Sequence, residues 1–293
     1  MKKRKGIILA GGSGSRLYPI TLGVSKHLIP IYDKPMIYYP LSVLMLAGIR
    51  EILIITTAQD LDQYQRLLKD GSQWGIELSF TVQAKPEGLA QAFILGEDFL
   101  DGAPSMLILG DNVFFGIGLK DMLMKADLNN SGATILGYHV ADPRRYGVVG
   151  FDKSGKVNTL AEKPLVPDSN FAVTGLYIVD ERASDLAKTI KPSSRGELEI
   201  ISLLEIYLNE GSLRVEKIGR GCAWLDTGTH SSLIDAGNFV RTIQERQGLQ
   251  VANLEEIAYN QCWIDDKKLS QQAEIYKNTD YGSYLQSLLK TYD

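Results

Sequence analysis

The sequence predicts an α/β fold, in which a mixed and mostly parallel sheet is flanked by helices and followed by a C-terminal helical annex. Short apolar runs alternate with amphipathic segments over the first 130 residues, strand-like runs follow one another after Gly132, and the pattern from about 250 onwards is helical. With 293 residues, 44% of them apolar and 23% charged, the chain is long enough to bury a large core.

The first half alternates strands and helices. Strands are predicted at 5–10, 51–56, 78–83 and 105–109, and helices at 38–47, 61–69, 89–100 and 119–128. This order is Rossmann-like, and such sheets bind their ligands at the carboxyl ends of the strands. Here those ends carry Gly11, Gly12, Gln83 and Asp111.

The second half is richer in strands. Strands are predicted at 133–140, 147–152, 157–161, 172–179 and 213–218, and helices at 197–209 and 231–247. No repeat or Pro-rich linker divides the chain, so we predict one α/β domain over 1–250, with a first part over about 1–130 and a second part over about 131–235. The annex over 251–293 carries tyrosines and a tryptophan that need a surface to cover.

Charge and hydropathy exclude several classes of protein. Lys and Arg number 31 against 35 Asp and Glu, a formal net charge of −4, so an anionic ligand needs a local cluster of cations. The apolar runs are far shorter than the ~20 residues of a membrane helix, and the one behind the basic stretch 2–5 is too short for a signal peptide. We therefore expect a cytoplasmic protein with no nucleic-acid or membrane partner.

The turn after the first strand combines glycines with cations. It lacks the third glycine of a dinucleotide fingerprint and the Lys of a P-loop. Its glycines allow backbone N–H groups to approach phosphate oxygens, and Arg16 and Lys26 add positive charge. A polyanion such as a nucleoside triphosphate suits this turn, which consists of Gly11, Gly12, Ser13, Gly14, Ser15 and Arg16.

Two aspartates follow apolar runs. Asp111 comes after the predicted strand 105–109, and Asp226 precedes Thr227-Gly228 and a helix. Each alone is typical of a turn or a helix cap, but together, beside a cationic glycine loop, they supply the hard oxygen ligands of a phosphate-bound Mg²⁺ ion. The three histidines are scattered, and Cys222 and Cys262 form no CxxC pair, which predicts two small apolar fillers rather than a zinc site or a disulfide framework.

Polar motifs in the second half suit a sugar phosphate. Glu162 and Lys163 end a predicted strand at a proline, and Arg195 precedes the helix 197–209. Carboxylates suit sugar hydroxyls, whereas Lys and Arg suit a phosphate monoester. Tyr146, Tyr177 and Trp224 add aromatic walls of the kind found in ligand pockets, although core packing explains such residues equally well.

Taken together, these segments resemble the sugar-1-phosphate nucleotidylyltransferases, and within them the glucose-1-phosphate thymidylyltransferase branch. The similarity runs from Gly6 to about Asp235 and continues into the tail. It rests on the motifs ILAGGSGSRL at 8–17, PIYDKPMIYYP at 30–40, PEGLAQA at 86–92, LGDN at 109–112, RYGVV at 145–149, EKP at 162–164 and WLDTG at 224–228.

The resemblance implies attack of glucose 1-phosphate on the α-phosphorus of dTTP, giving dTDP-glucose and pyrophosphate for dTDP-deoxysugar synthesis of the dTDP-rhamnose type. It makes 1–130 a nucleotide part and 131–235 a sugar-phosphate part with sugar-binding insertions. It also implies a homotetramer with a second, regulatory nucleotide site. The catalytic residues it implies are Arg16, Lys26, Asp111, Lys163 and Asp226, with Mg²⁺ on Asp111 and Asp226.

The binding roles carried over divide between the two substrates. Gly11 to Arg16 and Lys26 hold the triphosphate with Asp111, and Gln83 and Gly88 read the base. The glucose phosphate is surrounded by Asn112, Gly147, Glu162, Val173, Tyr177 and Trp224, with Lys163 and Arg195 on its phosphate. One position departs from the family, because His27 stands where Gln is usual, near the nucleobase.

Three alternatives remain open at this point. A uridylyltransferase acting on the same sugar phosphate differs only in its base, and His27 bears on that choice. A dinucleotide-dependent oxidoreductase would require the missing third glycine. A catalytically silent sensor of nucleotide sugars would not require both aspartates and all four cations. Turnover with dTTP, UTP, CTP and ATP distinguishes these alternatives.

Overall fold

The alternating half of the chain folds as its apolar pattern predicts. The computed structural model describes residues 2–128 and 131–290. Its strands are β1 (Lys5–Leu9), β2 (Pro30–Ile31), β3 (Lys34–Pro35), β4 (Glu51–Thr56), β5 (Glu77–Val82), β6 (Ser105–Leu109), β7 (Asn112–Gly116), β8 (Ala133–His139), β9 (Gly147–Phe151), β10 (Val157–Glu162), β11 (Phe171–Val179), β12 (Leu213–Ile218) and β13 (Cys222–Asp226).

The helices cover both faces of the sheet. They are α1 (Tyr38–Leu46), α2 (Leu61–Leu68), α3 (Gln91–Leu95), α4 (Glu97–Leu100), α5 (Leu119–Leu128), α6 (Ala183–Thr189), α7 (Ile200–Asn209), α8 (His230–Gln247), α9 (Leu254–Asn260), α10 (Asp266–Ile275) and α11 (Asp280–Lys290). Positions 1, 129–130 and 291–293, which fall in the predicted nucleotide part and the predicted annex, lie outside the described residues.

Parallel strands carry the glycine loop. β1 lies between β4 and β6, and β5 pairs with β4, all in parallel register. β11 runs antiparallel to β6, and β8 connects β11 with β12. With β9 and β10 these strands form one nine-stranded sheet, which confirms the predicted mixed sheet. The carboxyl ends of β1, β4, β5 and β6 meet at one edge, where a ligand site is expected.

The core lies on both sides of this sheet because successive side chains of a strand point to opposite faces. Ile8 of β1 packs with Leu44 of α1 on one face, while Ile7 and Leu9 pack with Phe93 of α3 on the other. All five side chains are buried. The continuous apolar runs of the parallel strands therefore reflect burial on both faces.

The helix predicted over 89–100 is wrong in part, because it divides into α3 and α4 at Gly96. The helix predicted over 197–209 begins later, at Ile200. The preceding residues are extended, and the backbone N–H of Leu198 donates to Glu87 O at 2.6 Å while Leu198 O accepts from Ala90 N at 3.1 Å. These long-range hydrogen bonds override the local helical pattern.

A second, smaller sheet was not predicted. β7 follows Asp111 at once and pairs antiparallel with β13, so that Asn112 lies opposite Asp226. The backbone N–H and Oγ1 of Thr227 both donate to Asp111 O, at 3.2 and 2.8 Å. This ribbon brings together the two aspartate-bearing segments, which lie far apart in the sequence.

The C-terminal helices pack on α1, and their aromatic side chains find the surface that the sequence requires. Tyr259, Trp263, Tyr276, Tyr281 and Tyr284 are half-buried against the main core. Glu255 of α9 is buried and accepts a hydrogen bond from Trp74 Nε1 at 2.9 Å. Within residues 2–128 and 131–290, no helix combines the length and hydrophobicity needed to cross a membrane.

The cysteine prediction is wrong for one residue. Both thiols are free, but Cys262 is exposed and only Cys222 is half-buried. Cys262 follows α9 in a turn with a φ of 56°, and its N–H donates to Tyr259 O. A turn at the surface, rather than a core position, explains its exposure.

Candidate active site

The backbone of the glycine loop passes close to the side chain of Lys26. Gly14 has a φ of 58°, and a Cβ there would lie 3.0 Å from Thr21 and 3.3 Å from Lys26. A residue with a side chain is disfavoured at this position on both counts. A 3₁₀ turn over Ser15–Leu17 follows and leaves Arg16 exposed at the edge of the sheet.

Four of the predicted catalytic residues line one cavity. It has a volume of about 240 Å³ and is lined by the glycine loop together with Arg16, Lys26, Asp111 and Asp226. Lys26 forms an ion pair with Asp111. The prediction that the two aspartates and the cationic loop converge is therefore consistent with the structure.

The two aspartates differ in their surroundings. Burial raises the pKa of Asp226, and the charge of Asp111 raises it further. In the described part of the chain no side chain donates a hydrogen bond to the Asp226 carboxylate. For Asp111, burial acts to raise the pKa, whereas the charge of Lys26 and the hydrogen bond from Asn112 act to lower it. The net effect is a pKa below the ordinary value. One carboxylate is thus satisfied, and the other faces the cavity without a donor.

These carboxylates fit a divalent cation with hard oxygen preferences. No cluster of three or more His, Cys, Asp or Glu side chains that could hold a metal occurs among residues 2–128 and 131–290, so a protein-only metal cage is absent there. Two carboxylates that leave the remaining positions to phosphate and water are the usual donor set for Mg²⁺. An Asp226 carboxylate that lacks a donor and faces a like charge is the observation that favours a cation here.

Asn112 lies at the centre of a buried hydrogen-bond network. Its Oδ1 accepts from Trp224 Nε1 at 2.5 Å and from Gly175 N at 3.2 Å, and its Nδ2 donates to Asp111 Oδ1 at 2.8 Å. The N–H of Gly175 is available because the pairing of β11 with β8 is irregular between Val173 and Tyr177. Asn112 was predicted as a sugar ligand, and the structure adds a link to Asp111.

A second cavity adjoins the glycine loop on its other side. It has a volume of about 400 Å³, and its lining includes Gly12, Ser13 and Lys26, the β4 loop at 57–60, and Gln83. Gln83 is buried, packs against Gly11, and donates to Gln91 Oε1 at 2.6 Å. The glycine loop therefore lies between the two cavities, with Gln83 in the wall of the larger one.

His27 lies beneath the loop. It is buried, its Nδ1 lies 3.2 Å from the hydroxyl of Tyr64, and that hydroxyl lies 2.9 Å from Ser25 Oγ. Burial lowers the pKa of His27 to about 4, so the ring is neutral at pH 7. The Nδ1 atom of His27 is engaged by the Tyr64 hydroxyl within the protein. The predicted contact of His27 with the nucleobase remains a prediction.

Gly88 has a structural reason to be glycine. Its φ is 109°, and a Cβ would clash with the backbone of Leu198. Gly88 does not line either cavity. The close approach of the chain at 87–90 to that at 197–199 therefore accounts for the residue without a nucleobase, and base recognition by Gly88 remains a prediction.

The predicted sugar-phosphate residues form a charged group at the ends of β9 and β10. Gly147 lies opposite Glu162 in the strand pair. Glu162 Oε1 lies 2.8 Å from Lys163 Nζ and 3.8 Å from Arg195 Nη2. Arg195 Nη2 also lies 2.8 Å from Glu199 Oε1. The two predicted phosphate-binding cations therefore lie around one carboxylate.

Three other predicted sugar ligands are more buried than a pocket wall requires. Val173, Tyr177 and Trp224 are 7%, 4% and 7% exposed, and the Val173 side chain belongs to the core. Burial raises the pKa of Tyr177, and so do the charges of Glu162 and Asp111. Tyr177 therefore lies close enough to both Glu162 and Asp111 for their charges to act on its hydroxyl.

One cation was missed by the sequence analysis. Arg145 is exposed and forms no ion pair within the described residues, and its charge lowers the pKa of Asp226. Its neighbour Arg144 is held by both oxygens of Asp142, at 2.7 and 2.8 Å. The RYGVV motif at 145–149 was the available signal, but only its tyrosine and its glycine were assigned roles.

Two larger cavities lie elsewhere. One of about 790 Å³ adjoins Trp263 of the annex, and one of about 730 Å³ adjoins Lys2, Lys3 and Arg50 at the opposite edge of the sheet. Neither contains the converging carboxylates and cations described above. Chemistry rather than size therefore identifies the candidate site.

Comparisons with known proteins show the family of the chain. Residues 5–243 match the family model described as nucleotidyl transferase. A glucose-1-phosphate thymidylyltransferase of Xanthomonas campestris pv. campestris is 60% identical over 290 residues, which is 99% of this chain and 98% of the relative. One of Neisseria meningitidis is 55% identical and covers 98% of this chain and 99% of its own.

Solved structures extend the comparison. A protein of Bacillus anthracis, described as a putative glucose-1-phosphate thymidylyltransferase in complex with sucrose, superposes with a TM-score of 0.78 at 37% identity, covering 87% of this chain and 99% of its own. A UDP-glucose pyrophosphorylase in complex with UDP-glucose gives a TM-score of 0.72 at 25% identity, covering 82% of this chain and 99% of its own.

Proposed function

The chain belongs to the nucleotidyl transferase family, and we propose that it transfers the thymidylyl group of dTTP to glucose 1-phosphate, giving dTDP-glucose and pyrophosphate. The observation that carries this proposal is the convergence of Arg16, Lys26, Asp111 and Asp226 on one cavity beside the nucleoside-sized cleft. The names of the relatives favour these two substrates among those that such a site accepts.

The chemical problem is charge. The nucleophile is already a phosphate anion, so no strong base is required, and the barrier lies in bringing two polyanions into line. Arg16 and Lys26 lie where a triphosphate on the glycine loop would place its phosphates. Lys163 and Arg195 lie at the second group, where the attacking phosphate would bind. Preorganised cations lower this barrier because they need no reorganisation during the reaction.

Asp111 and Asp226 would hold a Mg²⁺ ion. Such an ion supplies charge neutralisation and a template for the phosphate oxygens when it is bound. Asp111 suits this role because Lys26 and Asn112 fix the orientation of its carboxylate. Asp226 suits it because its carboxylate faces the cavity and receives no side-chain hydrogen bond from the described residues. Arg145 adds positive charge near Asp226.

Displacement of internal ion pairs would accompany substrate binding. Glu162 Oε1 lies 2.8 Å from Lys163 Nζ and 3.8 Å from Arg195 Nη2. A phosphate monoester would take over these cations, and the freed carboxylate would then accept hydrogen bonds from sugar hydroxyls. The same group thus serves both ends of glucose 1-phosphate.

A uridylyltransferase is the second candidate, and the similarity to a UDP-glucose pyrophosphorylase supports it. Pyrophosphate release from glucose 1-phosphate with Mg²⁺ and each of dTTP, UTP, CTP and ATP tests both. We expect the highest kcat/KM with dTTP. A preference for UTP favours the second candidate, and no release with any nucleotide contradicts both.

The resemblance also suggests a pathway, an assembly and a location. We propose that the product enters dTDP-deoxysugar synthesis of the dTDP-rhamnose type, and that the protein is a cytoplasmic homotetramer with a second nucleotide site. Light scattering coupled to size-exclusion chromatography tests the assembly. A monomer at micromolar concentration contradicts it.

A further inference from the structure

The orientation of the Asn112 side chain is dictated by its neighbours. The indole N–H of Trp224 and the backbone N–H of Gly175 are donors only, and both point to the same atom of Asn112. That atom must be the amide oxygen, because an NH₂ group facing two donors would leave all of them unpaired. The NH₂ group is therefore directed at Asp111 Oδ1.

Packing fixes the tryptophan in turn. Its ring lies 5.8 Å from that of Tyr138 and 5.2 Å from that of Tyr146, measured between centroids. Trp224 also lies two residues before Asp226 on β13, and Asp226 lies opposite Asn112. Side chains two apart on a strand share a face, so the indole, the amide and the second aspartate belong to one rigid ribbon.

The Asp111 carboxylate is consequently held at both oxygens. Asn112 binds Oδ1 and Lys26 binds Oδ2, and each oxygen retains a lone pair for a cation. Without the indole N–H, only the Gly175 N–H, at 3.2 Å, holds the Asn112 oxygen, so the amide is held less firmly. The hydrogen bond that its NH₂ group donates to Asp111 Oδ1 then weakens, and the carboxylate can turn away from its metal-binding orientation.

We propose that Trp224 is a positioning residue for the metal-binding carboxylate of Asp111 and acts on it through Asn112. The inference rests on the proposed function, since it assumes a cation at Asp111 and Asp226. It gives Trp224 a role beyond the predicted wall of the sugar pocket. Groups that orient metal ligands in this way typically change metal affinity or activity by about 10- to 100-fold when they are removed.

The test uses Trp224→Phe, which removes the N–H and keeps an aromatic ring. Trp74→Phe is the matched control, because Trp74 is also buried and its N–H also donates to a carboxylate, that of Glu255 in the annex. Mn²⁺ alone is titrated into each intact protein, and the free ion is measured by electron paramagnetic resonance. We expect about tenfold weaker Mn²⁺ binding for Trp224→Phe and wild-type binding for Trp74→Phe.

A double-mutant cycle tests the route of the effect. Asn112→Ala should weaken Mn²⁺ binding as much as Trp224→Phe does, and the double variant should lose no more than either single variant. Additive losses would show that Trp224 acts independently of Asn112 and would overturn the proposal. Near-ultraviolet circular dichroism shows whether Trp224→Phe folds. If it does not fold, Mn²⁺ binding is measured for Asn112→Ala alone, and the same weakening is expected.

Three further results would overturn the inference. They are wild-type Mn²⁺ binding by Trp224→Phe, wild-type binding by Asn112→Ala, and no Mn²⁺ binding by the wild-type protein. Failure of the proposed function is a separate observation, because it is the absence of pyrophosphate release from dTTP and glucose 1-phosphate in the wild-type protein. A wild-type protein that binds Mn²⁺ without turnover leaves the Trp224 comparison fully interpretable.

Discussion

Replacement of Asp226 by asparagine should move stability and turnover in opposite directions. Asp226 is half-buried, receives no side-chain hydrogen bond within the described residues, and faces the like charge of Asp111, which together with burial raises its pKa. Its ionised carboxylate therefore costs the metal-free protein free energy at neutral pH. The replacement amide has nearly the same shape and no charge, so that cost disappears.

The size of the effect follows from the surroundings. Two like charges about 4 Å apart repel by about 4 kcal/mol at an effective dielectric constant of ~20, and proportionately less when they lie farther apart. Lys26, Arg145 and Arg16 offset part of this repulsion, so we expect a net gain of about 1 kcal/mol, or a rise in Tm of ~2 °C for a chain of this size. Loss of a direct cation ligand should lower kcat by at least ~100-fold, since even an outer group is worth about 10- to 100-fold.

The assay is thermal unfolding with and without Mg²⁺, together with pyrophosphate release. Mg²⁺ should raise the Tm of the wild type, because it binds only the folded state, and should do so less in Asp226→Asn. Asp180→Asn is the matched control: Asp180 is buried and fully paired, accepting from Tyr207 at 2.9 Å and from Arg182 at 3.0 Å. It should lose about 3 kcal/mol of stability and keep the response to Mg²⁺. A lower metal-free Tm in Asp226→Asn, or an unchanged Mg²⁺ response, would refute the electrostatic argument.

The remaining predictions concern one cation, one glycine and one histidine. Arg145→Ala should lower kcat/KM for glucose 1-phosphate about tenfold, since a charge-assisted hydrogen bond contributes about 1.5–3 kcal/mol, whereas Arg144→Ala should not; equal steady-state constants for the two variants contradict a role for Arg145. Gly88→Ala should cost ~2 kcal/mol in chemical denaturation because its Cβ meets the backbone of Leu198 at a positive φ, and an unchanged midpoint contradicts this. His27→Gln should leave the ratio of kcat/KM for dTTP and UTP unchanged, because the ring is buried and its nitrogen faces Tyr64; a shifted ratio would restore His27 as a contact of the base.

Local periodicity predicted most of the sheet correctly because burial on two faces leaves a strong signal. The runs that became β1, β4 and β6 are largely apolar and end at polar or glycine residues. β7 gave a weaker signal, because its apolar part is only Val113 to Phe115. The start of α7 was misplaced for a different reason, because Leu198 is held extended by hydrogen bonds to Glu87 and Ala90. Pattern alone does not show where such tertiary hydrogen bonds override a local helical period.

The site shows a similar division. Residue type and strand position were enough to predict that Asp111, Asp226 and the glycine loop converge. The direction in which each side chain points was not available from the sequence, so the contacts of Trp224 with Asn112 and of Gly88 with Leu198 were not predicted. The ligand roles assigned to Trp224 and Gly88 remain predictions. Arg145 was missed because its motif does not say what the arginine contacts, and its proximity to Asp226 is visible only in the structure.

The acidic net charge of the chain is compatible with a site for two polyanions because each of the cations Lys26, Lys163 and Arg195 is paired with a carboxylate of the site. Lys26 pairs with Asp111, and Lys163 and Arg195 lie around Glu162. Such pairing keeps the cations ordered without a strong positive field that would attract unrelated anions. In the proposed reaction, a phosphate that displaces Glu162 from Lys163 and Arg195 would free a carboxylate for a sugar hydroxyl at the same place. Binding of glucose 1-phosphate would then be an exchange of partners, and this exchange would favour ligands that carry both a phosphate and a hydroxyl able to satisfy the released carboxylate.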